Sequence, residues 1–168
     1  MIDADYVRVM ARYNAWQNKQ LTEFLEAMPE PEVRRDRSAF FGSILGTLNH
    51  LLWGDMMWMS RFDGGEPPTH PMGETPNLCP TSAAWSAERF RMDGRILQWS
   101  DAVDNVDLQG DLRWYSGVKK AEVSRPVAVC VMGMFNHQTH HRGQVHAMLT
   151  AAGSKAPVTD LFLMPEDA

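Results

Sequence analysis

Three of the chain's six histidines fall within five residues, His137-Gln138-Thr139-His140-His141, followed by Arg142-Gly143-Gln144. On an α-helix, His137 and His141 lie one turn apart and are separated by only about 40° around the axis. Cys130, Met134, Val145 and Met148 lie within about 60° of their midpoint, so the pair is predicted to face inward along an apolar stripe. Gln144 falls beside it, His140 sits about 80° off on a shoulder, and His146 points to the opposite, solvated side. Two buried imidazoles side by side are costly unless each finds a partner. A shared metal ion serves both, because i,i+4 spacing puts two ring nitrogens at chelating distance. The competing reading is a pair of core histidines hydrogen-bonded to neighbouring helices.

Two familiar metal signatures are excluded. The segment has the H-x-x-x-H frame of a zinc protease, but Gln138 stands where the general-base glutamate would be. No glutamate has a histidine three residues later, so the sequence lacks the E-x-x-H element of di-iron bundles. What is left is a mononuclear site in need of at least one more ligand. Two histidines are open for that place: His70, in Pro68-Thr69-His70-Pro71, and His50, in Leu48-Asn49-His50-Leu51-Leu52-Trp53. Periodicity does not choose His50, which lies away from the main leucine stripe, although Gly46 and Gly54 on its face would let another helix approach. The two cysteines, Cys79 and Cys130, form no C-x-x-C pair. That excludes a thiolate zinc site and a disulfide scaffold, and fits a reducing, cytoplasmic setting. Cys130 reads as core.

Four long helical patterns must position these residues. The first runs from about Asp5 to Met28, with Tyr6, Val9, Met10, Tyr13, Trp16, Leu21, Phe24 and Leu25 on one face, Asp3 or Asp5 as cap, and Pro29 and Pro31 as stop. A polar connector follows to Arg37. The second spans about Ser43 to Phe62 and is apolar nearly all round, as expected of a helix buried on more than one side. Residues 63–80 hold five of the ten prolines and read as a long irregular crossing loop. Thr81 or Ser82 caps a third helix to about Val103, with Trp85, Met92, Ile96 and Trp99 inward. Short runs around Val106–Trp114 and Val118–Val123 suggest a small hairpin. Pro126 opens the last helix, which ends at Gly153 and carries the histidines. The pattern predicts an all-α fold, a four-helix bundle with a long Pro-rich loop and a hairpin-like connection before the last helix.

Composition narrows the function classes. With 168 residues, 44% hydrophobic, the chain suits one domain with one sizeable core. No stretch reaches the roughly 18–20 apolar residues of a membrane span, and the acidic start shows no secretory signal. A net charge of −5 argues against nucleic acid as partner, the one basic cluster (Arg34, Arg35, Arg37) being diluted by Glu32 and Asp36. Sixteen aromatics and 12 Met exclude a disordered chain. Seven Phe and six Trp exceed what one small core needs, so a homodimer is expected.

Four segments resemble the DinB/YfiT-like superfamily: Tyr13-Asn14-Ala15-Trp16, Leu45-Gly46-Thr47-Leu48-Asn49-His50-Leu51-Leu52-Trp53, Asn136 through Gln144, and Thr159-Asp160-Leu161-Phe162-Leu163-Met164-Pro165. The resemblance covers nearly all of residues 1–168 in order, and implies a single, often dimeric, four-helix-bundle domain with a three-histidine divalent metal site. Carried over by motif, the metal ligands are His50, His137 and His141, with His140 left outside and Gln144 supporting. Arg142, about 120° from the histidine midpoint, reads as an inter-helix or subunit contact rather than a catalytic group. Three neutral ligands leave a cation with an open position, the mark of a catalytic site. Zinc, nickel and iron all accept such a set. No carboxylate in these motifs is placed as a general base, which favours attack by a metal-held thiolate over peptide hydrolysis. Some relatives are implied to be thiol S-transferases using low-molecular-weight thiols. The expected function is therefore transfer of a small thiol to an electrophilic substrate in stress response or detoxification. Hydrolysis of a small ester, amide or lactone by metal hydroxide is the alternative, and a non-enzymatic, metal-stabilised dimeric bundle the third reading.

Overall fold

Polar caps start three of the four long helices where the sequence places them. Asp3 accepts from the Tyr6 N–H at 2.8 Å and opens α1 (Ala4–Glu26). A single turn, α2 (Glu30–Val33), occupies the predicted connector. Ser43 accepts from Gly46 N–H at 2.9 Å and opens α3 (Ile44–Phe62); Thr81 does the same for α4 (Ser82–Ala102) through Ala84. Each such cap satisfies a backbone donor that has no partner within the helix. Pro126 stands immediately before α5 (Val127–Ala151). These elements come from a computed structural model describing residues 1–167. The fold is mostly helical: α1 packs chiefly against α4 and α3 against α5, with further contacts between α3 and α4 and between α1 and α5. No helix among the described residues is long and apolar enough to cross a membrane.

The hairpin is present but displaced along the chain. Strands β1 (Asp111–Ser116) and β2 (Ala121–Pro126) pair antiparallel, Asp111 opposite Pro126 and Ser116 opposite Ala121. Both begin later than the apolar runs suggest. Residues 104–107 are folded instead by Asp104, whose carboxylate accepts from the Val106 and Asp107 N–H groups, and Gly110 turns the chain at φ +74. The proline-rich stretch is likewise not wholly irregular. A 3-10 helix, Met72–Asn77, lies against α3. Asn49, 0% exposed, holds it there: its amide donates to the carbonyls of Pro76 (2.8 Å) and Cys79 (3.0 Å), and its oxygen accepts from Cys79 N–H (3.2 Å). Trp53 Nε1 donates to the His70 carbonyl at 2.8 Å.

Helix faces differ from the apolar periodicity in one systematic way. The buried stripe of α1 runs through Val7, Ala11, Asn14, Asn18, Leu21 and Leu25, whereas Val9 is 40% exposed. On α5 the buried face is centred on Gln138 and Arg142, and Arg142, 6% exposed, makes an inter-helix contact to α1, one of the two contacts expected of it. His146, expected in solvent, is half-buried. The cause is a buried polar network joining all four long helices. Arg89 on α4 pairs with Asp55 on α3 (2.6 Å) and with Asp93 one turn along (2.8 Å). Asn14 and Asn18 donate to Asp93 at 3.1 and 2.9 Å, Gln138 donates to Asp55 at 3.0 Å, and Arg142 donates to Asn14 and lies over the Tyr13 ring. Two carboxylates and two guanidiniums balance in charge, which is what permits their burial. Burial lowers the Arg142 pKa to about 10, still a cation at neutral pH.

Candidate metal centre

His50 comes from the middle of α3, His137 and His141 from successive turns of α5, and the close packing of these two helices brings them together. One nitrogen from each ring falls within a set whose members all lie within 4.8 Å of one another. His50 Nε2 is 3.2 Å from His137 Nε2, and the ring centroids of His137 and His141 are 4.4 Å apart. His140 is exposed and outside this set, its Nε2 3.3 Å from Gln144 Nε2. His70 is outside it too, meeting the fold through its backbone carbonyl.

Close approach depends on glycine. A Cβ on Gly54 would stand 2.8 Å from His137 Cε1, so the imidazole occupies space that any other residue would fill. A Cβ on Gly46 would meet the Phe41 carbonyl at 2.2 Å. That contact fixes the segment carrying Phe41, whose ring stacks on His50 at 3.9 Å and meets His141 edge-on at 5.5 Å. Gly54→Ala is therefore expected to leave helix stability equal or improved, since alanine is the better helix former by about 1 kcal/mol. It should cut metal uptake at least tenfold by displacing His137. Metal content and melting temperature measured on one preparation check both halves.

Two of the three remaining ring nitrogens are held by neighbours. Gln144 Oε1 accepts from His141 Nδ1–H at 2.7 Å, which leaves the Nε2 lone pair free for the cluster. Thr75 Oγ1, delivered by the 3-10 helix, lies 3.0 Å from His50 Nδ1. Such outer partners orient ligating histidines and raise their basicity. His137 has no such support: its Nδ1 is buried without a hydrogen-bond partner.

Burial first, and then the other histidines' charge, lowers the His50 pKa to about 4. His137 falls to about 4, again from burial and then His141, against a smaller opposing pull from Asp55. His141 is lowered by burial, with the Gln144 bond opposing. All three are neutral at pH 7, the form in which imidazole binds metal. Three neutral, converging imidazoles, two of them facing nitrogen to nitrogen, fit a divalent cation. Thr75 and Phe41 carry no ligand signature in the sequence; only the packing of the 3-10 helix and of residues 39–43 puts them there.

A model of the DinB family matches residues 1–168. Protein DinB of Bacillus subtilis (strain 168) is 25% identical over 166 residues, covering 95% of this chain and 94% of that protein. A crystal structure of a DinB-like protein from Bacillus cereus ATCC 10987 superposes with a TM-score of 0.62, at 14% identity over 87% of this chain and 90% of that one, a likeness of fold.

Proposed function

The chain belongs to the DinB family, and from that premise we propose that it is a metalloenzyme built as one four-helix-bundle domain, with one divalent transition metal held by His50, His137 and His141. The observation that supports this reading is the convergence of three neutral imidazoles within 4.8 Å on two packed helices. Zinc, nickel and iron all suit three imidazoles. When bound, the ion supplies a Lewis acid able to lower the pKa of a thiol or water at its open position.

The chain's own residues then bind, orient and exclude. Thr75 and Gln144 fix the rings of His50 and His141, and Phe41 covers one face of His50. The cluster includes no carboxylate among the described residues; the nearby Asp55 is engaged by Arg89 and Gln138. Without a free base, chemistry with an undemanding proton transfer is favoured. We infer transfer of a small thiol to an electrophilic substrate: a sulfur–carbon bond forms, the leaving group departs with its electron pair, and the thiol proton passes to solvent. Detoxification or stress response is the setting such chemistry serves. Exposed Phe40, Phe90 and Phe162 support self-association as a homodimer.

Metal-loaded protein assayed against chloronitroarenes and epoxides, with and without cysteine or other small thiols, tests the reading. Thiol-dependent turnover should fall by about 100-fold or more in His137→Ala, the loss of several kcal/mol of Lewis-acid stabilisation. Turnover of esters or amides with no thiol present would move the assignment to a hydrolase. Absence of any turnover, with a metal-dependent rise in melting temperature, would leave a structural site.

A further inference from the structure

The opposite end of the α3–α5 pair carries a second feature that the histidine site does not use. A groove of about 330 Å³ opens where the end of α3, the end of α4 and the base of the hairpin meet. Phe62, Trp99, Val103, Leu108, Leu112 and Val127 give it an apolar lining. Trp58, Phe62 and Trp99 stack in series, with centroids 5.7 and 5.2 Å apart, so one wall is a rigid aromatic surface. The volume lies at the small end of the roughly 300–1,000 Å³ typical of small-molecule sites.

One cation lines this groove, Arg61. Its guanidinium lies over the Trp58 ring at 4.8 Å and the Trp114 ring at 5.0 Å. The two rings are inclined at 71°, so at most one can lie parallel to the guanidinium, and contact with ring faces uses its charge without consuming its N–H donors, which match a carboxylate. On the neighbouring α4, the buried and partly buried arginines spend those donors on carboxylates, Arg89 on Asp55 and Asp93, Arg95 on Asp63. Arg61 has no ion pair or hydrogen bond among the described residues. Its nitrogens are not sealed from solvent either, so the donors are open to a ligand. Burial also lowers its pKa, the signature of a cation short of compensating charge. The rim residue Asp107, whose Oδ2 accepts from Asp104 N–H at 3.0 Å, adds one negative charge and disfavours dianions.

We propose that this groove binds a small monocarboxylate with a flat apolar body, its carboxylate on the edge of Arg61 and its body against Phe62 and Trp99. The site is independent of the metal reading, being lined by residues of α3, α4, the hairpin and the start of α5 that include none of the histidines.

Phenylacetate titrated into the full chain, followed by two-dimensional NMR of the Trp99 and Trp114 indole N–H signals, tests it. Saturable binding is expected, with phenylacetamide and phenethylamine at least tenfold weaker. Arg61→Gln should lose at least tenfold with its melting temperature held, and His50→Ala should bind as the wild type does. Equal binding of acid and amide, no loss in Arg61→Gln, or no saturation by phenylacetate up to about 10 mM would overturn it. Should Arg61→Gln fail to fold, the acid-against-amide comparison in the wild type still decides.

Discussion

Wild-type protein purified without a metal-affinity tag is expected to contain about one equivalent of zinc, nickel or iron, and His50→Ala to contain almost none. His50 is the sole contribution of α3 to the cluster, and its Nε2 faces that of His137 at 3.2 Å. Without it, two imidazoles from one helix remain, too few for the three protein ligands of a catalytic site. The effect should be graded across the surrounding residues. Thr75→Val removes the partner of His50 Nδ1 and should weaken affinity by about 10–100-fold, the usual effect of losing an outer partner. His140→Ala, outside the cluster, should retain the metal. Elemental analysis with reconstitution and chelator competition measures all three. A wild type that holds no metal and takes none up would reduce the histidines to a hydrogen-bonded set and remove the proposed chemistry.

The largest stability effect is expected at Asp55. Its carboxylate is fully buried, pairs with Arg89 at 2.6 Å and accepts from Gln138 at 3.0 Å. Asp55→Ala leaves a 1%-exposed guanidinium with half its counter-charge and Gln138 without its acceptor. Breaking a buried pair from one side costs about 3–5 kcal/mol. At roughly 2–4 °C per kcal/mol for a chain of this size, the melting temperature should fall by about 6–20 °C. Asp63→Ala offers the contrast, because the Asp63–Arg95 pair is about a quarter exposed and solvent screening holds its worth to about 1 kcal/mol or less. Urea unfolding of both variants checks the ranking. Similar losses at the two positions would mean that water reaches the Asp55–Arg89 pair.

A good deal of this architecture was legible from residue types. Asp3 and Thr81, each one of two cap candidates in the sequence, start helices because a side-chain oxygen satisfies a specific backbone donor, a local effect readable without tertiary context. The all-round apolar character of residues 44–62 foretold a helix buried on several sides. The glycine at position 54 marked a close approach, and the structure shows the approaching group to be the His137 ring. The segment between Pro67 and Pro80 was harder, because what seats its 3-10 helix is a set of long-range bonds from Asn49 and Trp53.

Hydrophobic periodicity failed where the core is polar. Apolar periodicity places Val9 inward, where the structure leaves it exposed. The helices in fact rotate to bury Asn14, Asn18, Asp55, Arg89, Asp93, Gln138 and Arg142, which bond to one another across four helices. No single helix carries the information that its polar residue will meet a complement.

The same division holds for the metal centre. The i,i+4 spacing of His137 and His141 is enough to put two imidazoles on one turn of helix, since helix geometry is local and fixed. The sequence by itself thus determined the helices, most of their starts and a pair of imidazoles one turn apart, and motif resemblance added His50. Only the tertiary structure decided that His50 reaches that pair, that Thr75 and Phe41 surround it, and that burial keeps all three rings neutral. Those outcomes depend on which helix packs on which and how much water is left between them, quantities set by the whole chain at once.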